Sequence, residues 1–181
     1  MIASYLRKML NLACVAAVLP ACLITERKDY QAAPSLAPSI VTTGAASRPL
    51  DRVIVLEDVG GEDGGIGTLV FEVIVREPNV NDDMRARVFV NRPAAITDDR
   101  AFLFMKKDEA LPPNVSAERP SERPYTFIIE PSELNALECN RIELFVASDF
   151  RGAFTPVDLS ESARVVWWAG PRGSDLAACN R

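Results

Sequence analysis

Short runs of β-branched and aromatic residues, each closed by a cluster of Pro, Gly, Asn or Asp, occupy the chain after residue 50. Several runs alternate between apolar and polar side chains, which is the period of a half-buried strand. No segment carries the 3.6-residue period of a helix packed on a sheet. The pattern predicts an all-β antiparallel sandwich. We expect about seven strands, at 52–56, 68–76, 85–91, 101–105, 125–130, 141–147 and 163–169, with one helical turn or a wide turn at 131–135.

The same alternation predicts which side chains form the core. In the strand at 141–147, Leu144 and its aliphatic neighbours two residues away share one face, whereas Arg141 and Glu143 share the other. An unpaired charge in a core is strongly disfavoured. We therefore expect Leu144→Asp to disrupt the fold, and replacements of Arg141 or Glu143 to cost little.

Two consecutive strands resemble part of a known family. Residues 71–79, followed by residues 85–91, are similar to the second and third strands of bacterial immunoglobulin-like modules of the PKD and cadherin kinds. Glu77 stands where that family has the first acid of a turn, and Phe89 stands where tryptophan is frequent. The resemblance implies a single immunoglobulin-like antiparallel β-sandwich over 51–181.

The N-terminus carries a targeting pattern. Arg7 and Lys8 precede an apolar run that ends at Ala21, which is typical of a secretory signal peptide over 1–21. The run is shorter than the roughly 20 residues of a membrane-spanning helix. Residues 19–22, Leu-Pro-Ala-Cys, resemble the lipobox of bacterial lipoproteins.

The lipobox resemblance implies cleavage before Cys22, a diacylglycerol on its sulfur and a fatty acyl chain such as palmitate on its amine. The alternative is ordinary secretion, in which Cys22 lies near the cleavage site and has no special role. Leu23 stands where an aspartate would favour the inner membrane, so the resemblance implies an outer-membrane lipoprotein on either face. The Ala, Pro and Ser content of 22–50 predicts a flexible tether.

Two cysteines remain after this processing. Cys14 would leave with the signal peptide and Cys22 would take lipid, which leaves Cys139 and Cys179. Two remaining cysteines in an exported protein indicate a disulfide, and two free buried thiols are the alternative. The seventh strand would return beside the start of the sixth, which brings the C-terminal tail near Cys139.

Two acidic loops contain carboxylates that a hard cation such as calcium could use. Flexible connections between strands are the simpler interpretation, since the acids do not have EF-hand spacing. The candidate calcium ligands are Asp58, Glu62, Asp63, Asp82 and Asp83.

Adjacent tryptophans in the last strand must point to opposite faces. One of Trp167 and Trp168 would fill the core, and the other could contact a sugar or a protein partner together with Phe89 and Phe145. The alternative is that segments 92–124 and 149–161 cover this face.

Composition narrows the possible functions. The sequence has no histidine, which excludes Ser-His-Asp triads and His-ligated metal sites. Its net charge of −5 argues against a general nucleic-acid binder. We predict a protein that is not an enzyme and needs no cofactor. It would be held to the membrane through Cys22 and would bind or scaffold an envelope protein. A carbohydrate-binding domain that uses an exposed tryptophan is the alternative.

Overall fold

The computed structural model describes residues 36–42, 48–60, 67–114, 118 and 121–179. The predicted signal peptide, Cys22 and most of the tether lie outside these residues, as do Glu62 and Asp63. The described residues form eight strands: β1 Ser39–Val41, β2 Ile54–Val55, β3 Leu69–Arg76, β4 Met84–Val90, β5 Met105–Leu111, β6 Glu122–Ile129, β7 Asn140–Ala147 and β8 Ser162–Gly170. For these residues the prediction of an all-β fold is confirmed.

The strands form two sheets. One sheet has three strands in the order β1-β3-β6, and the other has five in the order β2-β8-β7-β4-β5. Every pairing is antiparallel except that of β2 with β8, which is parallel. The longest ladders join β3 to β6, from Leu69↔Ile129 to Arg76↔Glu122, and β7 to β8, from Asn140↔Ala169 to Ala147↔Ser162.

One hydrophobic core joins the two sheets. Alternate residues of β3, β4, β6 and β7 are buried in it, as the period of two predicts. The Phe71 ring lies 4.7 Å from Phe127 within its own sheet and 5.0 Å from Trp167 of the five-stranded sheet. Leu144 is fully buried here, as predicted.

Short helices occur between the strands. α1, Asp98–Ala101, continues into a 3₁₀ turn at Phe102–Phe104, so the strand predicted at 101–105 is wrong. β5 begins only at Met105, and most of it was missed because its residues are largely charged rather than alternating. Charged side chains are typical of edge strands, where they discourage pairing with other chains.

The turn expected at 131–135 is a 3₁₀ helix at Pro131–Glu133. The Glu130 amide donates to the Glu133 carboxylate at 2.9 Å, which closes its first turn. Elsewhere, α2, Leu176–Cys179, follows the last strand.

The folded part of the chain begins before residue 51. β1 lies within the predicted tether and pairs with β3 from Ser39↔Arg76 to Val41↔Ile74. Arg48 also contacts both sheets, because its Nε donates to the Val70 carbonyl at 3.0 Å and its own carbonyl accepts from Trp167 Nε1 at 3.3 Å. The compositional boundary at residue 50 therefore falls later than the structural one.

Cys139 and Cys179 form a disulfide, as predicted, with their Cα atoms 5.3 Å apart. The bond ties α2 to the start of β7. The cross-link closes a loop with a sequence separation of 40 residues. For a loop of that length, the chain-entropy estimate is about 4 kcal/mol.

A second, smaller core covers the outer face of the five-stranded sheet. Phe89, Ala101, Phe145, Phe150 and Ala153 are buried in it. The segments around α1 and at 150–154 therefore lie over β4 and β7. The alternative that loops cover this face therefore holds over Phe89 and Phe145.

Arg87 fixes one of these covering segments. Its guanidinium carbon lies 4.3 Å from the centre of the Phe150 ring, and its Nη1 donates to the Ala153 carbonyl at 3.0 Å. Its Nε lies 3.3 Å from Asp108 on β5. Burial raises the pKa of Asp108, but the hydrogen bonds from Arg85 and Arg87 outweigh it and hold that pKa below its usual value.

The core assignment predicts a strong difference between two aliphatic positions in strands. Leu144→Asp should lower the free energy of unfolding by more than about 3 kcal/mol, because it removes apolar contacts and buries a carboxylate. Ile128→Asp is the matched control, since Ile128 is 39% exposed on β6. Urea unfolding followed by circular dichroism measures both. Equal losses at the two positions would contradict the assigned facing of β7.

Candidate functional site

A buried carboxylate lies at the middle of the outer face of the five-stranded sheet. Glu143 on β7 is 0% exposed and sits between its strand neighbours Phe89 on β4 and Val166 on β8. Arg92, two residues after β4, binds it with two parallel hydrogen bonds. These are Nε to Oε2 at 2.9 Å and Nη2 to Oε1 at 3.1 Å. A two-point contact of this kind fixes the plane of the guanidinium.

Two further arginines share the same carboxylate. Arg141 Nη2 donates to Glu143 Oε1 at 2.9 Å, and Arg164 Nη2 donates to the same oxygen. The two side chains flank Glu143 because Arg141 lies two residues before it on β7, and Arg164 pairs with Phe145 on β8. Three guanidinium groups therefore surround one carboxylate, which leaves an excess of positive charge in a chain of net charge −5.

The charges in this cluster act on one another. Burial lowers the pKa of Arg141, Glu143 raises it, and the Arg164 and Arg92 charges lower it again. Arginine remains protonated throughout the physiological range even with such a decrease. The local positive charge is thus permanent.

Aromatic rings enclose the Arg92 guanidinium. Its central carbon lies 4.1 Å from the centre of the Phe154 ring and 5.5 Å from that of Phe145. Arg164 lies 5.2 Å from the Phe145 ring. Cations over ring faces at these distances are attracted by the negative charge of the π face. Phe145 therefore contacts both arginines, and Phe154 contacts Arg92.

A pocket opens where these groups meet. Its volume is about 560 Å³, within the range of roughly 300–1,000 Å³ that is common for small-ligand sites. Two arginine side chains line it, and the rest of its lining is apolar or carries hydroxyl groups. The lining residues are Arg92, Ala94, Phe145, Phe154, Thr155, Pro156, Leu159, Ser162, Ala163 and Arg164.

The aromatic residues predicted to contact a partner are placed differently. Trp167 fills the core and is 1% exposed, and Phe89 is fully buried. Phe145 is also buried, although one side of it lines the pocket. Trp168 is half-buried on the outer face and pairs with Arg141, away from the pocket lining. A shared exposed aromatic surface of these four side chains therefore does not form.

The acidic loops show other contacts. Asp58 pairs with Arg172 at 2.6 Å, and the Asp82 carbonyl accepts from Arg123. In the part of the chain that the structure describes, which includes Asp83, no three acidic or cysteine side chains are grouped as a metal site would require.

The ion cluster around Glu143 was not predicted from the sequence. Glu143 was expected to tolerate replacement because it lies on the face opposite to Leu144, but that face is covered as well. The one signal was a glutamate with apolar residues on both sides of it in the strand, and with Arg141 two positions earlier. The partners Arg92 and Arg164 lie 51 and 21 residues away.

No model of a known protein family matches the chain, and no curated protein is significantly similar to it. Among the described residues, no helix is long and apolar enough to cross a membrane.

The cluster predicts a stability contribution from one buried charge. Glu143→Gln should lower the free energy of unfolding by about 3–5 kcal/mol, because removing one partner leaves buried guanidinium charge uncompensated. Glu138→Gln, at an exposed position just before β7, should change it by less than about 0.5 kcal/mol. Chemical denaturation of both variants is the measurement. A cost at Glu143 no larger than at Glu138 would mean that the ion cluster does not stabilise the fold.

Proposed function

We propose that this protein is a lipid-anchored, non-catalytic binding protein of the bacterial envelope. Its folded domain would be an immunoglobulin-like β-sandwich that binds an envelope partner through the pocket on the five-stranded sheet. The observation that carries the proposal is the arrangement of Arg92 and Arg164 beside Phe145 and Phe154 at an open pocket. Arginine and aromatic side chains in such pockets contribute much of the energy of known interfaces.

The strand order supports the immunoglobulin-like assignment. In that fold, strands A, B and E share one sheet, and strands C, F and G share the other. Here β1, β3 and β6 would take the places of A, B and E, and β4, β7 and β8 those of C, F and G. β5 would correspond to the extra strand C′ of variable-type domains, and β2 would be a second part of the first strand.

The anchor is supported by the sequence of the N-terminus. The lipobox-like residues would carry the lipid on Cys22, and 16 residues separate that cysteine from β1. A flexible chain of this length spans about 20 Å on average. The domain would therefore stay close to an outer-membrane surface, on either its periplasmic or its external side.

Carbohydrate binding is the second candidate, and Trp168 is the observation that favours it. Trp168 is half-buried on the outer face beside Arg141, and a tryptophan ring can stack on a sugar. Saturable glycan binding that is lost in Trp168→Ala would favour this function over the pocket.

Site-specific photocrosslinking tests the proposed interaction. Leu159 lines the pocket and is 77% exposed, whereas Ile128 is 39% exposed on the outer face of the other sheet. With p-benzoylphenylalanine at position 159 in cells, we expect a discrete adduct with an envelope protein. The same probe at position 128 should not give that adduct. Identical adduct patterns at both positions would contradict a partner at the pocket.

The anchor has its own test. Cys22→Ser should abolish labelling by an alkyne fatty acid and move the protein from the detergent phase to the aqueous phase. Each buried methylene of the missing acyl chains accounts for about 0.8 kcal/mol of membrane affinity. The variant domain should unfold at the same urea concentration as the parent. Continued fatty-acid labelling of Cys22→Ser would contradict the lipobox assignment.

A further inference from the structure

We infer that the pocket recognises a carboxylate joined to a flat apolar group, such as the C-terminus of a peptide that ends in an aromatic residue. This inference deepens the proposed function and rests on it, because it names the chemistry by which the same pocket would bind its partner. Charge, unused donors and apolar walls support it independently.

The charge of the pocket suits an anion. The lining contains Arg92 and Arg164 and no acidic side chain. Glu143 neutralises only one of the three guanidinium charges gathered around it, and it lies behind the arginines in the sheet. A monoanion that enters the pocket would therefore meet uncompensated positive charge at low cost in reorganisation, since Glu143 already holds both guanidinium groups in place.

Hydrogen-bond donors remain for such a ligand. Glu143 takes Nε and Nη2 of Arg92 but only Nη2 of Arg164. Within the described residues, Nη1 of Arg92 and both Nε and Nη1 of Arg164 have no acceptor. The Arg164 side chain is 43% exposed, so its donors are accessible. A carboxylate offers about four lone-pair sites and accepts from an arginine fork at two points.

The rest of the pocket suits an apolar group. Phe145, Phe154 and Pro156 provide apolar walls, and Leu159 at the rim is left 77% exposed. Covering Leu159 would remove that apolar surface from water, which favours binding. The volume of about 560 Å³ admits a phenyl group and a carboxylate together.

Titration followed by amide NMR tests the inference on the folded protein. The probe is N-acetyl-phenylalanine, and its neutral carboxamide is the matched control. We expect saturable shifts confined to Phe145 and to residues 92–94 and 154–164. The carboxamide should bind at least tenfold more weakly, and acetate, which lacks the ring, should not saturate. Binding should weaken as salt is raised, because the charges at the pocket mouth are screened.

Two variants complete the test. Arg164→Gln should weaken binding of N-acetyl-phenylalanine at least tenfold. Arg172→Gln should leave it unchanged, since the Arg172 side chain is 71% exposed and pairs with Asp58 elsewhere on the domain. 3-Phenylpropionate, a free aromatic acid without a peptide bond, distinguishes a peptide C-terminus from a free aromatic acid as the source of the carboxylate. Weaker binding of this acid than of N-acetyl-phenylalanine supports a peptide C-terminus, and tighter binding of it overturns the peptide source.

The outcomes separate this inference from the proposed function. Equal binding of acid and carboxamide, shifts outside the pocket, or an unchanged affinity in Arg164→Gln would overturn carboxylate recognition. In that case, a discrete crosslink from position 159 would still support the proposed binding function. Carboxylate binding without any crosslink would instead support the pocket chemistry and count against an envelope protein as its partner.

Discussion

The Glu143 carboxylate, fully buried and bound by three arginines, is the interaction on which the outer half of this domain depends. It joins β7 to β8 through Arg164 and to the chain after β4 through Arg92. Burying such a charge alone would be prohibitive, and the surrounding guanidinium groups offset that cost. The same contacts fix the two arginines that face the pocket. Stability and the candidate binding chemistry therefore share one carboxylate.

β4 and β7 are buried on both faces, and this explains how the pocket is built. Their inner faces carry aliphatic residues into the core between the sheets, while their outer faces carry Phe89 and Phe145 into the second core. The covering segments are held by specific contacts, as where Arg87 binds the Ala153 carbonyl. The pocket is lined by Phe145 and Arg164 from the sheet and by residues 154–156 from the covering loop.

The sequence was informative wherever a short-range rule applies. A period of two identified most strands and the inward side of Leu144, and cysteine parity indicated the disulfide between Cys139 and Cys179. It was uninformative where distant residues decide the structure. β5 shows no alternation of apolar and polar residues because it is a charged edge strand. β1 is too short to show such an alternation. Glu143 looked like a surface charge because nothing local reveals that Arg92, 51 residues away, covers it.

The mobility of the arginine side chains shows whether Glu143 holds the guanidinium groups rigidly at the pocket. Nitrogen-15 NMR of the side chains distinguishes a guanidinium fixed by two hydrogen bonds from one that rotates freely about its Nε–Cζ bond. The account predicts separate, slowly exchanging Nη signals for Arg92 and averaged signals for the exposed Arg172. Averaged signals for Arg92 as well would contradict it.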